Sequence, residues 1–295
     1  MKNQSALKWL IPMIAVLAVF AASMGLFYQT PGTPYQYTNH RGETVMINGH
    51  GLYHYDTIST VAQMQGNDLI TLLVGLPLLV VATWLAFRGS LRGRLLLSGT
   101  LGFFLYTYMS MAMLTAYNAL FLVYVALFTL GLYAFILSML SFDLAELPRH
   151  FSPQLPHGAI AGVLFAVGGF LFLAWMGRIV APLLQNRPPA LENTTTLVIQ
   201  TMDLSLIVPL AILAGILLLR HSAWGYLLAS VAVLKGLTMA LAVSAMGINM
   251  ILAGVPDSLA IVIPFLILTL LNLVMAVLLL RNVDVRQATH TLTVP

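Results

Sequence analysis

Long apolar stretches alternate with short polar ones along the whole chain. A helix needs about 20 apolar residues to cross a hydrocarbon core of about 30 Å, and it satisfies its own backbone hydrogen bonds in lipid. The pattern therefore predicts an all-α integral membrane protein with about eight transmembrane helices, at residues 8–28, 69–88, 95–115, 118–140, 158–180, 198–219, 224–250 and 259–281.

The composition agrees with this pattern. Of the 295 residues 60% are hydrophobic and only 7% are charged, too few for a water-facing surface. The expected partner is the lipid bilayer, and the expected location is a plasma membrane or bacterial inner membrane. No run of Lys and Arg indicates a nucleic-acid partner. The absence of Cys excludes disulfides, thiolate metal sites and Cys catalysis.

Basic residues set the expected orientation, because cytoplasmic loops carry an excess of Lys and Arg. With a cytoplasmic N-terminus, three basic residues fall on the outer side: Arg41, Arg178 and Arg187. Nine fall on the cytoplasmic side: Lys2, Lys8, Arg88, Arg92, Arg94, Arg149, Arg220, Arg281 and Arg286. Both termini are therefore expected in the cytoplasm, and the first helix is expected to be retained rather than cleaved as a signal peptide.

A duplication is indicated by two segments, 77–98 and 209–230, which match without a gap at ten of 22 positions. The shared Pro, Ser and Gly carry more weight than the shared Leu, which is common in membrane helices. We expect a 4+4 parallel repeat: a first half at 1–141, a cytoplasmic linker at 142–157 and a second half at 158–295. Such repeats occur among transporters, with ligands at the repeat interface, although duplication also builds helical bundles of other kinds.

The longest polar stretch, 29–67, is expected outside as a lid over the bundle. It contains a strand-like piece at 43–47 that could form a hairpin, and a segment at 57–65 that could form a short interfacial helix. His50, His54 and Asp56 are candidate metal ligands, because imidazole and carboxylate suit Zn²⁺ or Cu²⁺. Alternatively, these are ordinary polar residues of a surface loop.

Ionisable residues in or at the edge of the predicted spans are candidates for a ligand or ion site, because they are costly in lipid. Lys235 lies near the middle of the seventh span, and Asp203 lies about two turns into the sixth. They could form a structural ion pair between two helices, or a site that responds to protons or ligand.

Five further polar residues have expected positions relative to the predicted spans. Asp68 and Arg178 lie at the outer boundary, where Asp68 could be a first-turn acid and Arg178 could bind an anionic group or lipid phosphate. Tyr108, like Tyr124, lies deeper and is expected at a helix contact or a cavity. Glu192 is expected to act as the N-terminal signal of the sixth span.

No sequence motif indicates a catalytic centre, a nucleotide site or a named cofactor, so the cofactor is unknown and an enzyme is disfavoured but not excluded. Three functions stay open. The first is a transporter or channel-like protein with a site between the halves. The second is a membrane-embedded enzyme or binding protein for a lipid or apolar molecule at the outer face. The third is a non-catalytic subunit of a membrane complex. The ligand could be an ion, a small molecule or a lipid, and homo-oligomerisation stays open.

Overall fold

Eight long helices dominate the computed structural model, which describes residues 4–256 and 258–283. Each is long and apolar enough to cross a membrane. They are α1 (Gln4–Phe27), α2 (Ile58–Phe87), α3 (Leu91–Leu114), α4 (Phe121–Met139), α5 (His157–Leu184), α6 (Val198–Leu219), α7 (Ala223–Leu252) and α8 (Leu259–Arg281). The prediction of an all-α, multi-pass membrane protein is confirmed. Lys2 and Arg286 lie outside the described residues.

Two helices extend beyond their predicted bounds on the same side of the bundle. The segment expected as a separate interfacial helix is continuous with the second span, so α2 begins at Ile58, where the Thr57 hydroxyl accepts a hydrogen bond from the Thr60 amide. The prediction that Asp68 could be a first-turn acid was wrong, because it lies in the third turn and is buried. Helix α5 continues past Arg178 to Leu184.

The connection between α1 and α2 contains a two-stranded antiparallel sheet, as the strand-like piece indicated. Strand β1 (Tyr35–Thr38) pairs with β2 (Thr44–Ile47), with Tyr35 opposite Ile47. We call the end of the bundle that carries residues 28–57 and 185–197 the hairpin side. The opposite end, which carries residues 140–156, is the linker side.

The first four helices and the last four, which we call the two halves, pack in the same order. Within each half, helices that are neighbours along the chain are in contact, α1 also contacts α4, and α5 also contacts α8. The halves meet where α7 packs against α2 and α3. At this interface a Cβ on Gly99 would lie only 2.5 Å from Cβ of Leu234, so the backbones of α3 and α7 approach closely.

Helices α2 and α6 each contain one π-helical turn, at Thr71–Gly75 and Asp203–Ile207. Two residues after each turn comes a proline, Pro77 or Pro209, which has no N–H to donate. In both turns an amide donates five residues back, from Leu76 to the Thr71 carbonyl and from Val208 to the Asp203 carbonyl.

Candidate functional site

Asp203 is the centre of a polar network inside the bundle. It is the first residue of the π-helical turn in α6, and only 7% of its surface is exposed. The Tyr106 hydroxyl donates to one carboxylate oxygen at 2.6 Å, and the Trp175 indole N–H donates to the other at 2.9 Å. The carboxylate is thus held by side chains from α3 and α5, one from each half.

Lys235 reaches this network from α7. The lysine stem packs against α3 at Gly102, where a Cβ would lie 3.4 Å from Cγ of Lys235, an ordinary van der Waals distance. One turn further along α3, the Tyr106 ring faces the ammonium, with its centroid 4.1 Å from Nζ. Tyr106 therefore contacts both charged groups, one through its ring and the other through its hydroxyl.

Asp203 and Lys235 do not form a direct ion pair. Within the described residues the one ion pair is Arg149–Glu146, at 2.8 Å on the linker side, so the Lys235 nitrogen is more than 4.0 Å from the Asp203 oxygens. A cation held on a ring face is stabilised less strongly than one bonded to a carboxylate. The arrangement leaves the ammonium free to contact an anion or to exchange a proton. π-Helical turns are also frequent at functional sites.

Asp68 forms a second buried polar cluster nearer the hairpin side. Only 2% of the surface of Asp68 is exposed, and its Oδ2 accepts a hydrogen bond from the Tyr53 hydroxyl at 2.7 Å. Gly25 of α1 packs against the same oxygen so closely that a Cβ there would overlap it. The connection between α1 and α2, which we call the outer connection, thus places one side chain, Tyr53, inside the bundle, where it bonds to the Asp68 carboxylate of α2.

Tyr108 and Tyr124 complete this cluster. Both side chains lie within electrostatic range of Asp68, and each residue is 1% exposed. The Tyr108 hydroxyl has no hydrogen-bond partner within the described part of the chain, whereas the Tyr124 hydroxyl lies beside the Tyr53 hydroxyl and Asn118. Buried hydroxyls normally find a partner, so the Tyr108 hydroxyl marks a place where a ligand or proton could be held. The prediction that both lie deep at a helix contact agrees with this burial.

The candidate metal ligands of the outer connection are arranged differently from a metal site. His50 and His54 each bond through Nδ1 to a nearby backbone carbonyl, of Asn48 and Gly51 respectively. Asp56 instead accepts from the Ala116 amide at 2.9 Å, and burial raises the pKa of Asp56 to about 6. The described residues contain no group of three or more His, Asp or Glu side chains placed to hold a metal ion.

Glu192 and Arg178 have local roles on the hairpin side. Glu192 does not cap the sixth span, whose N-cap is Leu197; its carboxylate accepts from the Thr57 hydroxyl, and its carbonyl accepts from Asn39. Arg178 is exposed and donates to the Ala190 carbonyl at 3.2 Å. No hydrogen bond in the described part of the chain joins Arg178 to Asp68 or to the loop histidines.

Comparison with protein-family models, with curated proteins and with solved structures finds no match to this chain. Its function must therefore be inferred from its own geometry.

The sequence signal for these sites was incomplete. Helical depth placed Lys235 and Asp203 within reach of each other, but it did not identify Tyr106 and Trp175 as their contacts. Tyr106 lies four residues after Gly102, and the structure places the Lys235 stem on Gly102. Tyr53 was missed because it belongs to the outer connection, where a tyrosine is ordinarily interfacial.

Proposed function

We propose that this polytopic membrane protein is a transporter or channel-like protein whose site lies between its two halves, at Asp203, Lys235 and Tyr106. The observation that carries the proposal is that two oppositely charged groups of the second half, Asp203 and Lys235, do not bond to each other, and both contact Tyr106 of the first half deep in the bundle. Burying charges in lipid is costly, and buried pairs that serve only stability are expected to bond directly.

The proposal includes a duplication of the first half, 1–141, in the second half, 158–295. Its support is that several features recur at one spacing of 132 residues. The π-helical turns begin at Thr71 and Asp203, 132 positions apart. The same register relates the helix N-caps Ser90 and Ser222. It also relates Gly93 and Gly225, where a Cβ would overlap the end of the preceding helix in each case. Parallel repeats of this kind place transport sites at their interface.

The orientation we propose places the hairpin side outside the cell and the linker side in the cytoplasm. Its support is the excess of Lys and Arg on the linker side, where seven of the described residues are basic against three on the hairpin side. Under this orientation Asp203 and Tyr106 lie in the outer half of the membrane, and Lys235 lies near the middle of the 30-residue helix α7.

Tyr106 links the two charged groups of the proposed site. Its hydroxyl holds Asp203 and its ring holds Lys235, so a ligand that draws away either charged group changes the contact made by the other. An anion would bind the Lys235 ammonium, and a cation would bind the Asp203 carboxylate. Either event alters a contact between α3 of the first half and helices of the second.

Flux through proteoliposomes tests the proposal. Wild type is compared with Lys235→Met, with Tyr106→Phe and with the matched control Lys8→Met, which removes an exposed lysine from α1. Na⁺, K⁺, Cl⁻ and H⁺ gradients are imposed in turn. Far-UV circular dichroism and gel filtration confirm that each variant is folded.

We expect wild type and Lys8→Met to carry flux of at least one ion, and Lys235→Met to reduce it at least about tenfold, equivalent to about 1.4 kcal/mol. Tyr106→Phe keeps the ring but loses the bond to Asp203, so we expect an intermediate reduction. Equal flux in wild type and folded Lys235→Met, or no flux in wild type under any gradient, would contradict the proposal.

The alternative of a membrane-embedded enzyme or binding protein for a lipid or apolar molecule, with a metal site at the outer face, has less support. Its candidate ligands His50 and His54 bond to the backbone of their own loop, and Asp56 bonds to the turn between α3 and α4. These contacts stabilise the outer connection rather than converge on a reaction centre.

A further inference from the structure

We propose that Asp68, with Tyr53, Tyr108 and Tyr124, forms a proton-binding site that is loaded from the hairpin side. This inference deepens the proposed function by naming a coupling ion, and only its role in coupling rests on that function. The binding step itself is simple. A proton from water adds to the carboxylate of Asp68, which becomes a carboxylic acid, and no other bond is made or broken.

The first support is the lack of a cation beside Asp68. Within the described residues no Lys, Arg or His nitrogen lies within 4.0 Å of its oxygens, since the one ion pair there is Arg149–Glu146. A carboxylate buried inside a membrane protein without a cationic partner is expensive, so it must be neutralised by a bound cation or by a proton.

The second support favours a proton over a larger cation. One carboxylate oxygen, Oδ2, is already enclosed by the Tyr53 hydroxyl at 2.7 Å and by the backbone of α1 at Gly25. A metal ion needs several oxygen ligands arranged around it, as hard cations generally do. The close approach of Gly25 leaves no space for such a shell at this oxygen, whereas a proton needs none.

The third support is that the phenols suit both protonation states. When Asp68 is charged, a hydroxyl can donate to the carboxylate, as Tyr53 does. When Asp68 is protonated, its own O–H needs an acceptor, and the buried hydroxyl of Tyr108 has free acceptor capacity because it has no hydrogen-bond partner within the described residues. The cluster can therefore exchange a proton without leaving the carboxyl group unsatisfied.

The fourth support is a path from water. On the hairpin side a small cavity is lined by polar residues, among them Gln29, Asn48, His50 and Gln65, and Tyr53 forms part of its wall. The Tyr53 hydroxyl is bonded to Asp68, so this one side chain links the cavity to the carboxyl group. Burial raises the pKa of Tyr53 well above its ordinary value, so Tyr53 can pass a proton on while staying neutral itself.

The ionisable groups around Asp68 come from every neighbouring element except α1 and α7. The outer connection contributes Tyr53, α3 contributes Tyr108 and α4 contributes Tyr124. Helix α1 contributes the backbone at Gly25. Helix α7 packs on α2 near Gly66 through Ala245 and Met246, and its ionisable residues, Tyr226 and Lys235, lie further toward the linker side.

Infrared difference spectroscopy on the full-length protein in lipid tests this site without requiring transport. Spectra are recorded while the pH is lowered from about 8 to about 5, a range in which an exposed carboxylate stays charged. Wild type is compared with Asp68→Asn and Tyr53→Phe. Asp56→Asn and Asp203→Asn are measured as controls, so that the bands of other buried carboxyl groups are assigned separately.

We expect an acid-induced carboxyl C=O band in wild type that is absent in Asp68→Asn and present in both control variants. In Tyr53→Phe the same band should shift in frequency, because its hydrogen bond is lost. If Asp68→Asn does not fold, the shift in Tyr53→Phe carries the test.

A band that persists in folded Asp68→Asn, the absence of any pH-induced band assigned to Asp68, or no shift in Tyr53→Phe would overturn the proposal. A change at Asp68 that follows Na⁺ concentration at fixed pH would also overturn it, in favour of a metal-ion site. A titrating Asp68 in a protein that carries no flux would support the proton site while contradicting transport, so the two failures are distinguishable.

Discussion

At the residue scale, two buried carboxyl groups are stabilised in different ways. Asp203 is held by two donors and has a lysine beyond a tyrosine ring. Asp68 has one donor, Tyr53, and two further phenols near it, of which Tyr108 has no hydrogen-bond partner within the described residues. The first arrangement keeps a charge in place, and the second tolerates its loss. This difference is why we assign the ligand site to Asp203 and Lys235, and the proton site to Asp68.

Asp56 gives a pH prediction outside the membrane spans. Burial raises its pKa to about 6 in the folded protein, against an ordinary value of 3.8 when unfolded. The folded state therefore holds the proton more tightly than the unfolded state. The contribution of Asp56 to stability is fully present below about pH 4 and is lost as the pH rises through about 6, by up to about 3 kcal/mol.

Thermal unfolding in detergent at pH 5, 6 and 7 measures this effect. We expect the melting temperature of wild type to fall across this range more than that of Asp56→Asn, which cannot ionise but keeps an oxygen for the Ala116 amide. Parallel curves for the two proteins would show that Asp56 does not titrate there.

Residue contacts were the least predictable part of the site. Counting turns from the predicted span ends placed Lys235 at mid-membrane and Asp203 within its reach. The rotation of each helix, which decides that the Lys235 stem lies on Gly102 and its ammonium on Tyr106, depends on packing between α3 and α7. A single sequence carries no signal for that rotation.

At the element scale, α3 and α7 form the closest contact between the halves. A methyl group on Gly99 would meet Cβ of Leu234 at 2.5 Å, whereas one on Gly169, in α5, would meet nothing within 4 Å. We expect Gly99→Ala to lower the free energy of unfolding by about 1–3 kcal/mol, the usual effect of overpacking. Gly169→Ala should leave it unchanged or raise it slightly, because Ala favours helix.

Thermal unfolding of the two variants side by side checks this prediction. Equal stability in Gly99→Ala and Gly169→Ala would mean that α3 and α7 are not in close contact, and the site between them would lose its basis.

Most element boundaries followed from hydrophobic pattern, because lipid requires long uninterrupted apolar helices. The π-helical turns were not predicted, since a one-residue insertion in a helix does not disturb an all-apolar pattern. Pro77 and Pro209 were noted as matching positions, and each lies just after such a turn. The early start of α2 was missed because residues 58–68 are polar enough to suggest an interfacial segment, although they pack inside the protein.

At the scale of the whole molecule, the outer connection joins the two halves on the hairpin side. Asn39 bonds to the Glu192 carbonyl, and Asn193 bonds to the Tyr55 carbonyl at 2.9 Å. The same connection also places Tyr53 against Asp68. Movement of one half against the other would therefore disturb both this connection and the proposed proton site, as a coupled transporter requires.

The central claim is that Lys235 lies on a path that water reaches between the halves. The chain has no Cys, so Lys235→Cys introduces the only thiol. A charged, membrane-impermeant thiol reagent is added to either side of proteoliposomes, and the reaction rate is compared with that of Leu270→Cys, at a position on α8 that is 64% exposed on the bundle surface. We predict that Lys235→Cys reacts at least about tenfold faster from one side or both, because the reactive thiolate forms in water and not in lipid. Equally slow reaction at both positions would contradict the account.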